Sequence, residues 1–390
     1  MKRTILAILT VILPVSFTLA QSNTSAVNST GNNNTATVTQ TGSANNSTID
    51  QTGDYNAATA SQTGNDNNGD QDQLGNANTT TLLQRGDLNQ VAQSQNGNSN
   101  SALALQFGSE NEAYQTQIGA SNQASVYQNG ETFAGDGFSN YAYQAQNGAS
   151  NNAQAVNLGA NNASSQTQIG DFNWLSSQLQ GDNNTSNQWQ RGDANFGGVN
   201  TRGDANNARQ EQNGDNNAAQ AAQNGNGNAS IQQQNYNGGN YYSGGSNFAS
   251  SDQAGDGNWQ WQVQIGFDNQ SVAGQNGNSN RSIQLVNGDD NVLTTTQTGD
   301  GNFAEQLVGL VGAWPYYPFA GPSDSNEAEI IQEGDGNTAY QRQIGAGDNF
   351  ALTRQTGDGN TATTHQAGNG HSSTVNQLGN GNIATVSQSN

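Results

Sequence analysis

The chain has 390 residues, no cysteine, and 30 acidic against 9 basic residues, which gives a formal net charge of -21. This charge disfavours nucleic acid and anionic membrane surfaces as partners. Without cysteine, a secreted form of the chain must be held by backbone ladders and packing rather than by disulfides.

The first twenty residues differ in composition from everything that follows. Lys2 and Arg3 precede an apolar run from Ile5 to Phe17, and the small residue Ala20 ends the segment. This pattern is typical of a secretory signal peptide, and the apolar run is too short for a membrane anchor. We therefore predict a signal peptide at 1–20 and a mature chain that begins at about Gln21.

An eleven-residue unit, Gln-x-Gly-x-x-Asn-x-Ala-x-x-x, repeats through the rest of the chain. A fixed period indicates stacked copies of one structural unit, which argues against both disorder and several separate domains. The first uninterrupted block carries its repeated amides at Gln40, Gln51, Gln62, Gln73, Gln84, Gln95, Gln106 and Gln117, and at Asn45, Asn56, Asn67, Asn78, Asn89, Asn100, Asn111 and Asn122.

Within each unit, residue types alternate with a period of two. Asn34, Ala36, Val38 and Gln40 share one face, and threonine, serine and charged residues occupy the other. This alternation is typical of a strand, and Gly-x-x supplies a turn. We therefore predict an all-β, amyloid-like β-solenoid of stacked 22-residue strand-turn-strand coils, with no helix after the signal.

The inward face is predicted to hold structural ladders of amides. An unpaired buried amide costs about 1–3 kcal/mol, but an identical amide above and below it supplies the missing partners. Aspartate often follows the turn glycine, and we interpret these residues as turn formers that also keep the rod soluble. They are Asp54, Asp87, Asp171, Asp182, Asp193, Asp204, Asp215, Asp300, Asp335 and Asp358.

Three insertions interrupt the repeat, near 131–136, 237–243 and 311–322. The eleven-residue phase resumes after each of them. We therefore predict one repeat array at 21–390, from which these segments bulge as loops.

The residues that suggest chemistry have simpler interpretations. Arg-Gly-Asp occurs at Arg85–Asp87, Arg191–Asp193 and Arg202–Asp204, where Gly-Asp is the ordinary turn of the repeat, and we favour this interpretation over an integrin-binding motif because short motifs often match by chance. His371 takes a ladder asparagine position, and His365 faces outward without metal-binding neighbours. We predict no enzyme activity and no catalytic, cofactor or metal site.

Trp259 and Trp261 fall on the outward face, between inward Gln260 and Gln262. Exposed aromatic residues can bind glycans or neighbouring fibres, and they can equally pack against an insertion. Both interpretations stay open at this point.

The repeat resembles that of the curlin family, the subunits of curli fibres. Residues 101–106, Ser-Ala-Leu-Ala-Leu-Gln, resemble the major subunit, and residues 49–56, Ile-Asp-Gln-Thr-Gly-Asp-Tyr-Asn, are closer to the minor, nucleating one. The resemblance implies export through an outer-membrane apparatus and polymerisation into a functional amyloid at the bacterial surface. The partners would be further copies of the chain and other curli-type subunits. The fibre would have roles in cell adhesion and biofilm matrix. The chain departs from the family in having roughly three times the usual number of repeats, and residues 21–30 contain no glycine.

Two functions from different classes follow from these features. The first is a fibre subunit that polymerises head to tail, because the last unit, Asn382 to Gln388, offers an uncovered edge. The alternative is a monomeric secreted β-solenoid adhesin that binds glycans or a surface through its outward face.

Overall fold

The computed structural model describes residues 22–128, 138–237, 240–241, 244–309 and 322–390. The predicted signal peptide, the insertion at 131–136 and nearly all of the insertion at 311–322 lie outside the described residues. Within the described ranges the chain is all-β, as predicted, and forms no helix that could cross a membrane.

Two long parallel sheets contain 31 strands. The first sheet, of 16 strands, consists of β1 (Thr24–Thr30), β3 (Asn46–Thr52), β5 (Asn68–Leu74), β7 (Gln90–Asn98), β9 (Glu112–Ala120), β11 (Tyr141–Ala149), β13 (Ala163–Ile169), β15 (Thr185–Arg191), β17 (Asn207–Asn213), β19 (Ala229–Gln234), β23 (Trp259–Ile265), β25 (Arg281–Asn287), β27 (Phe303–Val308), β29 (Thr338–Gly347), β31 (Thr361–Asn369) and β33 (Ile383–Ser389).

The second sheet, of 15 strands, consists of β2 (Thr35–Ser43), β4 (Ala57–Asn65), β6 (Thr79–Arg85), β8 (Ser101–Phe107), β10 (Gln123–Gln128), β12 (Asn152–Leu158), β14 (Trp174–Gln180), β16 (Phe196–Arg202), β18 (Ala218–Asn224), β22 (Phe248–Ala254), β24 (Gln270–Asn276), β26 (Val292–Thr298), β28 (Glu327–Glu333), β30 (Phe350–Thr356) and β32 (Ser372–Leu378). The chain alternates between the sheets, so that two consecutive strands make one coil. The predicted β-solenoid is confirmed.

The register aligns equivalent positions of successive coils. In the pairing of β2 with β4, Gln40 lies beside Gln62, and Val38 lies beside Ala60. Because side chains alternate between faces along a strand, this register stacks every inward residue on its counterpart one coil away. Equivalent amides therefore form continuous columns along the rod.

Each turn depends on the glycine after the ladder glutamine. Gly53 has φ of 117°, and a Cβ atom added there would lie 1.9 Å from the carbonyl oxygen of Gly75 in the next coil. The residue before each ladder asparagine is also left-handed, as at Tyr55 with φ of 60° and Leu88 with φ of 60°. The turn glycine was predicted from the repeat, whereas this second left-handed position was not.

The ladders continue across every insertion. Gln117 still bonds to Gln146, 29 residues later, and Gln223 bonds to Gln253, 30 residues later. Gln297 bonds to Gln332, 35 residues later. In the insertion near 237–243, β20 (Tyr236–Asn237) pairs antiparallel with β21 (Asn240–Tyr241), a short ladder that the sequence did not suggest.

The core between the sheets is narrow and built from small side chains. Ala58, Ala60, Ala104 and Ala113 are buried in one cluster, in which Ile49 is among the largest apolar members. Such residues bury little apolar area each, so a single coil gains little stability alone and depends on its neighbours.

Candidate functional site

The predicted glutamines lie in the core and bond along the rod. Nε2 of Gln62 donates to Oε1 of Gln84 at 2.9 Å, and Nε2 of Gln84 donates to Oε1 of Gln106 at 3.0 Å. Each Nε2 also donates across the core to a backbone carbonyl of the opposite sheet, as Gln106 does to Gln90 at 3.0 Å. Each glutamine therefore joins its own column and ties the two sheets together.

The structure buries most of the predicted ladder residues almost completely. Gln40, in a terminal coil, is half-buried. The remaining predicted glutamines are at most 2% exposed: Gln51, Gln62, Gln73, Gln84, Gln95, Gln106 and Gln117. The predicted asparagines are at most 1% exposed: Asn45, Asn56, Asn67, Asn78, Asn89, Asn100, Asn111 and Asn122.

The asparagines hold the turns rather than the middle of the sheets. Nδ2 of Asn67 donates to Oδ1 of Asn45 at 2.9 Å and to the carbonyl of Gly86 in the next coil at 2.7 Å. The backbone N–H of Asn67 also donates to Oδ1 of Asn45 at 3.1 Å. Each asparagine thereby satisfies turn groups that would otherwise be buried without partners.

A second glutamine column runs through the middle of the first sheet only, and the sequence analysis missed it as a separate ladder. It passes from Gln71 through Gln93 and Gln115, with Nε2 to Oε1 distances of 3.0 and 2.8 Å. Its last bond within the described residues joins Gln306 to Gln341 at 3.1 Å. The second sheet has aliphatic or small residues at this level, so the two sheets are chemically different.

The ladders are interrupted where apolar residues replace the amide. Val286 and Val308 occupy the outer glutamine column of the first sheet, and both are buried. The next glutamine, Gln343, then has a buried carbonyl oxygen without a hydrogen-bond partner. The runs of stacked amides that begin at Gln71 and Gln223 likewise start with one unfilled acceptor.

The turn aspartates form a ladder of their own. Oδ1 of Asp193 accepts from the backbone N–H of Asp171 at 2.8 Å, and Oδ1 of Asp204 accepts from that of Asp182 at 2.8 Å. In the first Arg-Gly-Asp triplet, Oδ1 of Asp87 accepts from the N–H of Asn65 at 2.7 Å. One carboxylate oxygen of each triplet is thus engaged in the turn, which favours the turn interpretation over a recognition motif.

Neighbouring carboxylates meet on the outward face of the first sheet near its beginning. Asp50 lies beside Asp72 in the register of β3 and β5, and Asp70 lies on the same strand. Partial burial, followed by the charge of Asp50, raises the pKa of Asp72. Burial, followed by the charges of Asp50 and Asp72, raises the pKa of Asp70.

His371 replaces an asparagine at the last position of its column. Its backbone N–H donates to Oδ1 of Asn349 at 2.9 Å, as an asparagine would, and its Nε2 lies 3.2 Å from the carbonyl of Ala367. The described residues contain no group of three or more histidine or acidic side chains that could hold a metal ion.

Aromatic side chains form two patches on the outward faces. On the first sheet, the half-buried Trp259 and Trp261 have ring centroids 6.2 Å apart, and the Arg281 guanidinium lies 4.5 Å from the Trp259 ring centroid. On the second sheet, the rings of Trp174 and Phe196 stack with centroids 4.5 Å apart. The second stack borders a shallow groove of about 410 Å³ that contains amide, hydroxyl and carboxylate groups.

Both ends of the rod present strand edges. Among the described residues, β1 and β2 pair on one side only, as do β32 and β33. Every residue of β1 is exposed, and inward residues of β33 are only half-buried. Such edges carry unpaired N–H and C=O groups that can accept another strand.

Comparison with known proteins agrees with this geometry. The model of the curlin associated repeat matches residues 31–64, 348–379 and 357–389, at both ends of the rod. A search of curated proteins finds no match to the chain. The curlin associated repeat and the β-solenoid are structural rather than enzymatic. The chain therefore carries curlin associated repeats at these three places, and the matched segments lie in the same β-solenoid as the other strands.

Proposed function

We propose that the protein is a structural subunit of an extracellular, curli-like functional amyloid fibre, which supports cell adhesion and biofilm matrix at the bacterial surface. The observation that carries this proposal is the pair of open ends. Each end of the solenoid exposes one edge strand from each sheet, and the edge strands β2 and β33 carry the same alternation as the interior.

The energetics of the coil favour addition of a second molecule. The columns gain a hydrogen bond and a stacked contact for each coil added, while the alanine-rich core gives one coil little stability of its own. Gln388 at one end accepts from Gln366 but donates only to the carbonyl of Ser372 at 2.9 Å. At the other end, no described residue donates to the side-chain carbonyl of Gln40. A junction between two molecules would satisfy both groups.

The remaining parts of the proposal rest on the curlin associated repeats and on the composition of residues 1–20. A signal peptide at 1–20 would direct the chain out of the cytoplasm, and an outer-membrane apparatus would pass it to the surface. The partners would be further copies of the chain and other curli-type subunits.

The decisive experiment measures assembly of the purified mature chain. We expect a lag phase, thioflavin binding, removal of the lag by sonicated fragments, and fibres of one solenoid width in electron micrographs. A chain that remained monomeric for days at high concentration and moderate salt, with and without seeds, would contradict the fibre proposal.

A cap placed on one end separates head-to-tail growth from lateral aggregation. A soluble domain fused after Asn390 through a protease-cleavable linker should strongly slow elongation, because it covers the β32 and β33 edges. Cleavage of the linker should restore the uncapped rate. Equal growth before and after cleavage would place the assembly surface elsewhere.

The groove beside Trp174 and Phe196 favours the alternative function, a monomeric adhesin that binds glycans. A flat aromatic stack flanked by amides and Asp252 offers an apolar platform and hydrogen-bonding groups to a sugar ring. The test is calorimetric titration of soluble polysaccharides into the monomer, with Trp174→Ala as the variant and Trp189→Ala, on the other sheet, as the control. Binding that is lost only in Trp174→Ala, by a chain that does not assemble, would support the adhesin.

A further inference from the structure

The two sheets contain unequal numbers of strands, and this fixes how a second copy can continue the solenoid. Among the described residues, the first sheet has 16 strands and the second has 15, so both the first and the last described strand of the array belong to the first sheet. After β33, the next strand of an uninterrupted solenoid would belong to the second sheet and would pair with β32.

We propose that successive molecules join with their sheets exchanged: β1 of the incoming copy pairs with β32 in line with the second sheet, and its β2 pairs with β33 in line with the first. This inference rests on the proposed fibre function. It makes successive subunits related by a half-turn about the fibre axis. The other arrangement, β1 on β33, would leave the second sheet one strand short at every junction.

Five of the six inward pairs at the ends match in the exchanged register, and in the sixth Ser29 meets Gln377. Extending the spacing seen within the array, β2 meets β33 with these pairs: Ala36 with Ala384, Thr37 with Thr385, Val38 with Val386, and Gln40 with Gln388. In β1 on β32, Ser25 meets Ser373, Val27 meets Val375, and Asn28 meets Asn376. In the direct register, β1 on β33 matches only Val27 with Val386.

The middle inward position of each strand, which holds the second glutamine column in the first sheet, carries residues at the ends of that sheet that resemble those of the second sheet. In the interior of the first sheet this position holds the second glutamine column, whereas the second sheet holds aliphatic or small residues. At the ends of the first sheet the glutamines are absent, and Val27, Ile49, Thr364 and Val386 occupy the level instead. A glutamine at either end would be stacked on valine in an exchanged junction and would lack its amide partner.

The direction of the ladder bonds is also preserved. Within the array, an outer-column Nε2 that faces a glutamine in the following coil donates to the Oε1 of that glutamine, as Gln366 does to Gln388 at 2.9 Å. In the exchanged junction, Nε2 of Gln388 points to Oε1 of Gln40 of the incoming copy. Val27, which is 47% exposed in the isolated chain, becomes covered by Val375.

The chain contains no cysteine, so engineered disulfides can report the junction. Thr39 and Ser387 are exposed and become direct neighbours across an exchanged junction, whereas Asn28 and Ser387 become neighbours across a direct one. Neighbouring strands lie about 4.8 Å apart, within the Cα separation that a disulfide allows. In both double variants the two cysteines of one molecule lie at opposite ends of the rod and cannot pair with each other.

The test is oxidation of fibres grown from T39C/S387C and from the matched variant N28C/S387C, followed by non-reducing electrophoresis. We expect a ladder of covalent multimers from T39C/S387C and only monomer from N28C/S387C. Multimers from N28C/S387C instead, or fibres in which neither variant links, would overturn the exchanged junction while leaving the fibre proposal in place. Failure of the unmodified chain to form any fibre would overturn both.

Helical reconstruction of unmodified fibres supplies a readout that does not depend on cysteine variants. From 31 strands, with two strands per 4.8 Å coil, the subunit rise should be roughly 74 Å. The exchanged junction adds a half-turn to the twist accumulated along each subunit. A reconstruction in which the first sheets of successive subunits are in line would overturn the inference.

Discussion

The ladder model makes a quantitative prediction for Gln106, which lies in the middle of an uninterrupted column. Its Oε1 accepts from Gln84 at 3.0 Å, and its Nε2 donates to Gln128 at 2.9 Å. Gln106→Ala removes both ladder bonds and the bond to the Gln90 carbonyl, and it leaves the Gln128 carbonyl without its ladder donor, although Gln84 keeps its bond to the Asn68 carbonyl at 3.0 Å.

The expected loss follows from these partners. A stranded buried carbonyl costs about 1–3 kcal/mol, and the lost second bond of Gln84 adds about 1 kcal/mol, so Gln106→Ala should destabilise by about 2–4 kcal/mol. The matched control is Gln154→Ala, because Gln154 is also a strand glutamine but faces outward and is exposed. Its effect should lie within about 0.5 kcal/mol of zero.

The assay is urea unfolding of freshly refolded monomer, combined with amide hydrogen exchange. A repeat array need not unfold in one step, so exchange should show the weakening concentrated in β6, β8 and β10. A similar shift of the urea midpoint in Gln106→Ala and Gln154→Ala would refute the assignment of the inward face. Exposed Thr79→Ala should likewise be nearly silent.

Three further predictions concern the turns and the charges. Gly53→Ala should destabilise by at least about 3 kcal/mol, since its Cβ would overlap the next coil, whereas Gly227→Ala, with open space around the Cβ, should cost only about 1 kcal/mol in thermal unfolding. Asp72→Asn should stabilise the fold at neutral pH. The raised pKa of Asp72 means that the folded state holds the proton more tightly than the unfolded state does. Ionisation of Asp72 therefore lowers the free energy of unfolding, and this loss of stability grows as pH rises above the ordinary carboxyl pKa and vanishes below it. Asp252→Asn, flanked by Ala222 and Gly274, is the control, and equal gains in both variants would argue against a carboxylate cluster. Fibre elongation should accelerate with salt, because screening weakens repulsion between stacked turn aspartates; slower growth in salt would contradict this reasoning.

The fold was predictable because one period fixes it. The eleven-residue spacing and the alternation from Asn34 to Gln40 determine strand length, turn position and inward face together, and the register repeats them. The burial of the amides followed from the same pattern, since a position that repeats in every unit occupies the same site, facing the same way, in every coil.

The differences between the sheets could not be deduced from the unit alone. The repeat motif treats consecutive strands as equivalent, so the restriction of the Gln71 column to the first sheet emerges only when every second unit is compared. The left-handed residue before each asparagine was hidden for another reason. Tyr55, Leu88 and Phe172 give no local signal for that conformation, and only later units, such as the one with Gly227, place glycine there.

Strand parity leads to a last prediction, in which the junction is changed by shortening the chain at its C-terminal end. A chain that ends at Leu378 lacks β33 and has equal numbers of strands in the two sheets. An incoming β1 would then pair with β31 and β2 with β32, so that the sheets of successive molecules are in line. In this shortened chain Thr39 becomes the neighbour of Asn376, and T39C/N376C should form covalent multimers on oxidation. In the full chain the same pair is separated, since β2 lies on β33, and should remain monomeric. Loss of the single terminal strand β33 removes only its pairing with β31 and its contacts with β32, so the rest of the array should keep its structure. Multimers from T39C/N376C in both lengths would show that side-chain matching, and not the number of strands, determines how the molecules join.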